Sequence, residues 1–490
     1  MATGRMPRPP QSPLASVPPA HRPSPSPRDF GSFPDPFQVD PGLEDVLQQA
    51  TVLLCRWLGQ AGHGTPLPGL SVLPAVEPEA AGLSSDRLLA DLQLVMEGAY
   101  NPNHPGALAH LDPPPLSASI VADLICAGLN NNLLAEELSP SLSRLERALC
   151  AWIAGQLGLP DGAGGVAASG GSLSNLMALV TARHRRGLAC RGEAVVLCSE
   201  EAHVSLKKAT AVMGLPAEAL VQLPVTAAGS LEPLALEERL VRLDRAGTPV
   251  IAVVATSGTT VRGALDPLEP IAALCRRYGH WLHVDGAIGA IFAFSERFRP
   301  RLAGLGLADS ITVNPQKLLG ITKTSSLLLL ADPLHLQRAF ATGLPYMEPS
   351  WGGGHQGEAG LQGTRPGEIL KLWLGLRQLG LDGVAALIEA AVQRRTQLEQ
   401  RLRAVGGLTL CSGPLHLLAF RPDGCEGPEA ERWSAATRSA LLAEQLMLSR
   451  PVYRGHHHLK AVLGNPHTLP HHLERLSLVV QRSLAEPTNG

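Results

Sequence analysis

An α/β fold is predicted for this chain: a mostly parallel sheet flanked by helices, with a smaller C-terminal α+β domain. Between Ser141 and Ala331, helix-period segments alternate with short apolar strands at Val195, Val221, Val250, Trp281, Ile311 and Ser325. This is the pattern of strand-helix-strand units whose parallel strands are covered on both faces. Several of these strands run directly into polar residues and glycines, as in open α/β sheets that deliver functional groups at strand C-terminal ends. After Arg365 the pattern changes to a long amphipathic helix, then to mixed strands and helices.

The elements follow in order. Residues 1–40 carry Pro9-Pro10, Pro18-Pro19, Pro23, Pro25 and Pro27 among Ser and Arg; they cannot build a core and are expected to be a disordered proline-rich tail without the apolar run of a signal peptide. Residues 41–115 form a helical extension, with Leu43, Val46 and Leu47 and then Leu88, Leu89 and Leu92 at helical spacing. Residues 116–368 hold the alternating pattern and make the large domain. Residues 369–490 make the small domain: a helix through Leu370, Leu374, Leu376 and Leu379, a strand at Leu415 to Phe420, a helix at Ala435 to Leu446 and a strand at His458 to Leu463.

Chemistry concentrates in the large domain. In Asn314-Pro-Gln-Lys317, a lysine follows the apolar residues Ile311 and Val313 and precedes the small-residue stretch Thr322 to Ser326. Burial lowers a lysine pKa enough to make the amine nucleophilic toward an aldehyde. Trp281-Leu-His-Val-Asp285-Gly-Ala287 is an apolar strand ending in a carboxylate; such a group can hold a pyridinium nitrogen protonated, or can cap the next helix. Ser169-Gly170-Gly171-Ser172 precedes a helical pattern through Leu176, Leu179 and Val180, and free amides at a helix start suit a phosphate, although turns of this composition are common. His203 follows the strand Val195 to Cys198, where an imidazole can stack on a ring or serve as a hydrogen-bonded structural residue. Thr256, in Thr-Ser-Gly-Thr-Thr, closes the strand that starts at Val250.

From about His104 to Leu476 the chain resembles the group II pyridoxal-phosphate-dependent amino-acid decarboxylases, which include the glutamate, cysteine sulfinate, diaminobutyrate and aromatic amino-acid enzymes. Ser-Gly-Gly-Ser, Glu-Ala-His, Thr-Ser-Gly-Thr-Thr, His-Val-Asp, Asn-Pro-Gln-Lys and Leu-Lys-Leu-Trp-Leu occur in the family's order. The resemblance implies a fold type I, pyridoxal-5'-phosphate-binding enzyme in which Lys317 bonds the cofactor aldehyde and Asp285 pairs with the ring nitrogen. His203 and Ala287 would flank the ring, Ser169, Gly170, Gly171, Ser172 and Asn314 would hold the phosphate, and Thr256 would lie close to the cofactor. Tyr346 falls on the position of a mobile-loop tyrosine that protonates the carbanionic carbon. Lys460 stands where the family grips the substrate carboxylate with arginine, unless it is a strand lysine facing solvent; Asn131 lies in a segment resembling the family's substrate pocket.

The implied reaction is decarboxylation of a small polar or acidic L-amino acid, such as glutamate, aspartate, cysteine sulfinate or diaminobutyrate, to an amine and carbon dioxide. A homodimer is implied, with Tyr346 supplied by the neighbouring chain and the helical extension packed on the partner. Aldehyde-lyase or aminotransferase chemistry on the same cofactor, and a non-catalytic binding dimer, are the competing readings. The chain departs from the family at Gln316, Gly286 and Ile288, where His, Ala and a bulky aromatic are usual, which implies a roomier or less polar pocket floor.

Composition bounds the rest. With 45% hydrophobic residues, 17% charged residues and a formal charge of −2, the chain reads as a globular protein with no basic surface for nucleic acid. No apolar run reaches the roughly 18 residues of a membrane span. The 8 cysteines show no close pairs, which fits the cytoplasm and no metal site. Among His456, His457 and His458, neighbours on a strand face opposite ways, so a structural role is expected over a metal tract.

Overall fold

The computed structural model describes residues 31–69 and 72–485, so the expectation for the first thirty residues lies outside it. Residues 31–40 are almost entirely exposed and contain no helix or strand. The described residues divide into two compact units, one built from 31–59 together with 68–99, the other from 60–67 and 100–485. Residues 100–115, expected with the N-terminal extension, thus group with the larger unit. The smaller unit contains α1 (Pro41–Gly59) and α2 (Ser85–Glu97).

The larger unit is organised on a seven-stranded sheet. Its strands are β1 (Gly164–Ala168), β2 (Val195–Ser199), β3 (Leu220–Leu223), β4 (Val250–Thr256), β5 (Trp281–Asp285), β6 (Ser310–Val313) and β7 (Ser326–Leu330). The spatial order is β1-β7-β6-β5-β4-β2-β3. Neighbours from β3 through β6 pair in parallel, and β7 runs antiparallel to both β6 and β1. The central strands β2, β4, β5 and β6 are buried along their whole length, as strands covered on both faces must be.

Side chains alternate across this sheet into two cores. Val195, Leu197, Val253, Ala255, Leu282 and Val284 point to one side, where they meet α4 (Pro140–Gln156), α7 (Pro233–Arg245) and α8 (Leu268–Tyr278). Val196, Cys198, Ile251, Val254 and Leu328 point to the other, against α5 (Gly171–Arg185), α6 (Ser205–Val212) and α10 (Leu334–Phe340). Before α4 runs α3 (Ser117–Leu129), and α9 (Gln316–Leu319) is a single turn after β6.

Beyond the sheet, α11 (Ile369–Val405) is interrupted at Gly380, whose φ of 65° and ψ of 174° break the helix into two segments. A three-stranded antiparallel sheet, β12-β9-β8, follows, made of β8 (Leu408–Ser412), β9 (Leu417–Pro422) and β12 (Leu459–Val462). The hairpin β10–β11 (Val452–Tyr453, His456–His457) precedes β12, while α12 (Gly427–Ala443) and α13 (Pro470–Ala485) complete a third core around Phe420, Trp433, Leu459 and Leu476. The α/β class with a smaller α+β portion is therefore as expected. No described helix is long and apolar enough to cross a membrane.

Candidate active site

At the C-terminal ends of the parallel strands lies a cavity of about 190 Å³ lined by Gly171, Ser172, Asn175, His203, Thr256, Gly258, Thr260, Asp285, Ala287, Ile288, Asn314 and Lys317. Five elements deliver these groups. Gly171 and Ser172 open α5, His203 lies just after β2, Thr256 and Asp285 end β4 and β5, and Asn314 and Lys317 follow β6.

Asp285 is 5% exposed and both of its oxygens accept hydrogen bonds. Asn175 Nδ2 donates to Oδ2 at 2.8 Å, and the Ala287 amide donates to Oδ1 at 3.2 Å. Burial lowers the Lys317 pKa below the usual lysine range, against the opposing pull of Asp285 and Asp112. Burial likewise lowers the His203 pKa, with Asp285 opposing. The Ser205 amide donates to His203 Nδ1 at 3.2 Å, which fixes the ring orientation.

The opposite wall suits an anion. Gly171 and Ser172, at the start of α5, line the cavity, and Gly170, at φ 132°, takes a conformation that L side chains rarely adopt. A methyl on Gly171 would come within 2.9 Å of the Asn314 amide. With its amide turned to satisfy its neighbours, Asn314 accepts from Gly171 N at 3.3 Å and donates to Ser326 Oγ at 2.7 Å. Thr256, on the wall, has a buried hydroxyl with no protein partner. A buried acid, a depressed lysine, an unpartnered hydroxyl and a glycine-lined helix start together fit pyridoxal phosphate.

Other expected residues lie elsewhere. Ser169 and Gly170 precede the wall without lining it, and the Ser169 amide donates to Gln362 Oε1 at 3.2 Å. Asn131 also lies outside the wall, its amide donating to the Leu129 carbonyl at 2.9 Å. Tyr346 is 72% exposed and does not line the cavity of its own chain. Lys460 is only 6% exposed, so it does not face solvent; Nζ donates to the carbonyl of the wall residue Thr260 at 3.4 Å. Burial, reinforced by the Lys317 charge, pulls its pKa down to about 8.

The three departures bear differently on the expected roomier or less polar floor. A Cβ on Gly286 would point away from the cavity, 2.7 Å from Ala290 Cβ and 2.9 Å from the Thr312 carbonyl. Gly286 is thus a packing requirement behind β5. Gln316 Oε1 accepts from the Ser325 amide at 2.6 Å and so braces the start of β7, while Ile288 does line the cavity. His456 and His457 lie 3.9 Å from Glu426 and Glu431 respectively.

Sequence reasoning missed Asn175 and His283 as site residues. His283 precedes Asp285 by two on β5 and so shares its face of the sheet, and Asn175 lies four residues beyond Gly171, one helical turn into α5. Those spacings were the available signal.

This fold and site define a pyridoxal-phosphate enzyme of the α/β class. The Pyridoxal-dependent decarboxylase conserved domain matches residues 73–421, and the chain belongs to that family of amino-acid carboxy-lyases. It is 34% identical over 388 residues to the L-2,4-diaminobutyrate decarboxylase of Rhizobium meliloti (strain 1021), covering 78% of each chain. It is 30% identical to the acidic amino acid decarboxylase of Mus musculus, covering 76% of this chain and 69% of that one. Among solved structures, mouse CSAD in apo form superposes with a TM-score of 0.82 at 25% identity, over 89% of this chain and 98% of the other. Oryza sativa TDC with PLP and tryptamine gives 0.86 at 22% identity, over 93% and 100%, which speaks to the fold alone.

Proposed function

We propose that this decarboxylase acts on a small polar or acidic L-amino acid, releasing carbon dioxide and the amine, as a homodimer with two composite sites. The observation that carries the reading is the convergence of Lys317, Asp285 and His203 on one small cavity with a buried ammonium, Lys460, just behind its Thr260 wall. The similarity to decarboxylases named for diaminobutyrate and for acidic amino acids supports the substrate class.

When bound, pyridoxal phosphate supplies an electron sink for the bond to the departing carboxylate. Lys317 would offer the amine that holds its aldehyde, and the lowering of its pKa by burial favours the reactive free amine. Asp285 would present a buried carboxylate to the ring nitrogen, His203 and Ala287 would flank the ring, and Ser172 and Asn314 with the start of α5 would hold the phosphate. Lys460 holds the substrate carboxylate by charge. Tyr346 returns a proton to the α-carbon, which favours the amine over an aldehyde product.

Dimerisation is supported by apolar side chains left exposed on a single chain, among them Leu92 and Val95 of α2 and Val121, Leu124, Ile125 and Leu129 of α3. The substrate test is carbon dioxide release from the purified holoenzyme across glutamate, aspartate, cysteine sulfinate and 2,4-diaminobutyrate, with aromatic amino acids as controls. Release from the small polar or acidic set is expected. Turnover confined to aromatic substrates would overturn the assignment.

A further inference from the structure

Behind Asp285 lies a buried hydrogen-bond chain whose direction is fixed by chemistry. It begins at Trp281 Nε1, which can only donate and lies 2.9 Å from Ser310 Oγ. Ser310 Oγ is in turn 2.9 Å from His283 Nδ1. At the other end, Asn175 Nδ2 donates to Asp285 Oδ2 at 2.8 Å and to Ser205 Oγ at 2.9 Å. With both amide hydrogens committed, Asn175 presents only its oxygen to His283 Nε2, 3.1 Å away, and to Thr312 Oγ1, 2.8 Å away.

Those constraints leave one arrangement. His283 Nε2 carries the hydrogen and donates to Asn175; Nδ1 accepts from the Ser310 hydroxyl; the Ser310 oxygen accepts from Trp281. Burial holds the His283 pKa down at about 4, with Asp285 opposing, so the imidazole is neutral at physiological pH and the tautomer persists. Every donor in the series points toward Asp285. All four hydrogen-bonding positions of the Asn175 amide are filled, so it cannot rotate without breaking bonds in a site that excludes water.

We propose that His283 and Thr312, acting through Asn175, are positioning residues that fix the Asp285 carboxylate for the cofactor's ring nitrogen. The pair clamps Asn175 Oδ1, the clamped amide fixes one Asp285 oxygen, and the Ala287 amide fixes the other. The Asn175 amide also ties down the Ser205 hydroxyl, and the Ser205 backbone N–H orients His203. One asparagine therefore sets both the group facing the ring nitrogen and the group at the ring face. The inference rests on this site binding pyridoxal phosphate, and it does not depend on which amino acid is the substrate.

The test compares two coenzymes on the apoenzyme: pyridoxal phosphate, and its 1-deaza analogue, in which carbon replaces the ring nitrogen. His283→Phe is expected to weaken pyridoxal phosphate binding by about 10- to 100-fold, the loss of one hydrogen bond's orientation of a charged group, while leaving analogue affinity within about twofold. Thr312→Val should act in the same direction more weakly, and His283→Gln, which keeps a donor, should recover most of the loss. A purely structural role predicts equal losses for both coenzymes, and that result would overturn the proposal. So would unchanged affinity for both. Should His283→Phe fail to fold, Thr312→Val and His283→Gln decide by the same comparison. Failure of the wild-type apoenzyme to bind either coenzyme would instead refute the cofactor site itself.

Discussion

If Lys460 receives the substrate carboxylate as proposed, its surroundings set a pH limit on substrate binding. A lysine in water is charged to above pH 10, but burial and the Lys317 charge bring Lys460 to about 8. Below that pH it is protonated and attracts a carboxylate; above it the charge is lost. The KM for the amino acid should therefore rise as the pH passes 8. Lys460→Arg, with a guanidinium charged throughout this range, should give a KM flat across the same window. Lys460→Ala should raise KM by about 10- to 100-fold at pH 7. Steady-state kinetics from pH 6.5 to 9.5 check all three, and a KM in the wild type that ignores pH 8 would remove Lys460 from carboxylate binding.

Gly286 is a second residue whose role follows from direction and not from identity. Adding a methyl there meets Ala290 Cβ and the Thr312 carbonyl, both closer than real Cβ atoms come, so Gly286→Ala should destabilise the protein by roughly 1–3 kcal/mol. Denaturant unfolding measures this. Because the methyl points away from the cavity, the substrate preference should stay as it is. A shift in preference without loss of stability would mean that the floor had been read from the wrong side.

At the scale of elements, the strands carrying chemistry were the legible ones. β2, β4, β5 and β6 are apolar runs rich in Val, Ile and Leu, the first three ending in Ser199, Thr256 and Asp285 and the last followed by Asn314, and hydrophobic patterning reads such strands well. β1 went unread because Gly164-Gly-Val-Ala-Ala168 has a single β-branched residue; the packing of a methyl-free Gly165 against Leu328 and Leu329 of β7 is the reason for its composition. β8 escaped for another reason: it is half-buried throughout and shows no sharp apolar alternation. The buried network of Asn175, His283 and Thr312 was illegible as a network because Asn175 lies more than a hundred residues of chain before the other two, and the three are joined only when β5 and β6 pair and α5 packs across them.

The tie between α4 and the segment leading into α11 makes an element-level prediction. Glu146, fully buried on α4, accepts from Arg365 NH1 at 2.7 Å and from Gln356 Nε2 at 3.0 Å. Removing one partner of a buried pair leaves an uncompensated charge. Arg365→Met should therefore cost about 3–5 kcal/mol of stability, and adding Glu146→Leu should recover much of it. Equal stability of wild type and Arg365→Met in urea unfolding would show that water reaches Glu146.

For the whole molecule, the separation of Tyr346 from the cavity of its own chain sets the decisive experiment. Lys317 lines the cavity from α9, just after β6, whereas Tyr346 is 72% exposed in the segment after α10. If the tyrosine of one subunit serves the lysine of the other, then Lys317→Ala and Tyr346→Phe proteins, each defective alone, should complement when co-expressed. In the mixed dimer, one site combines both defects, while the other pairs an intact Lys317 from one chain with an intact Tyr346 from its partner. Amine production should return in the isolated heterodimer, with carbon dioxide and amine released in equal amounts. Were Tyr346 to act within its own chain, neither site of the heterodimer would be whole and no recovery would be measured. The outcome also tests the exposed apolar faces of α2 and α3: replacing Leu124 and Ile125 of α3 by Glu should yield a monomer in sedimentation experiments and abolish the complementation, because a composite site cannot form without the contact that brings its two halves together.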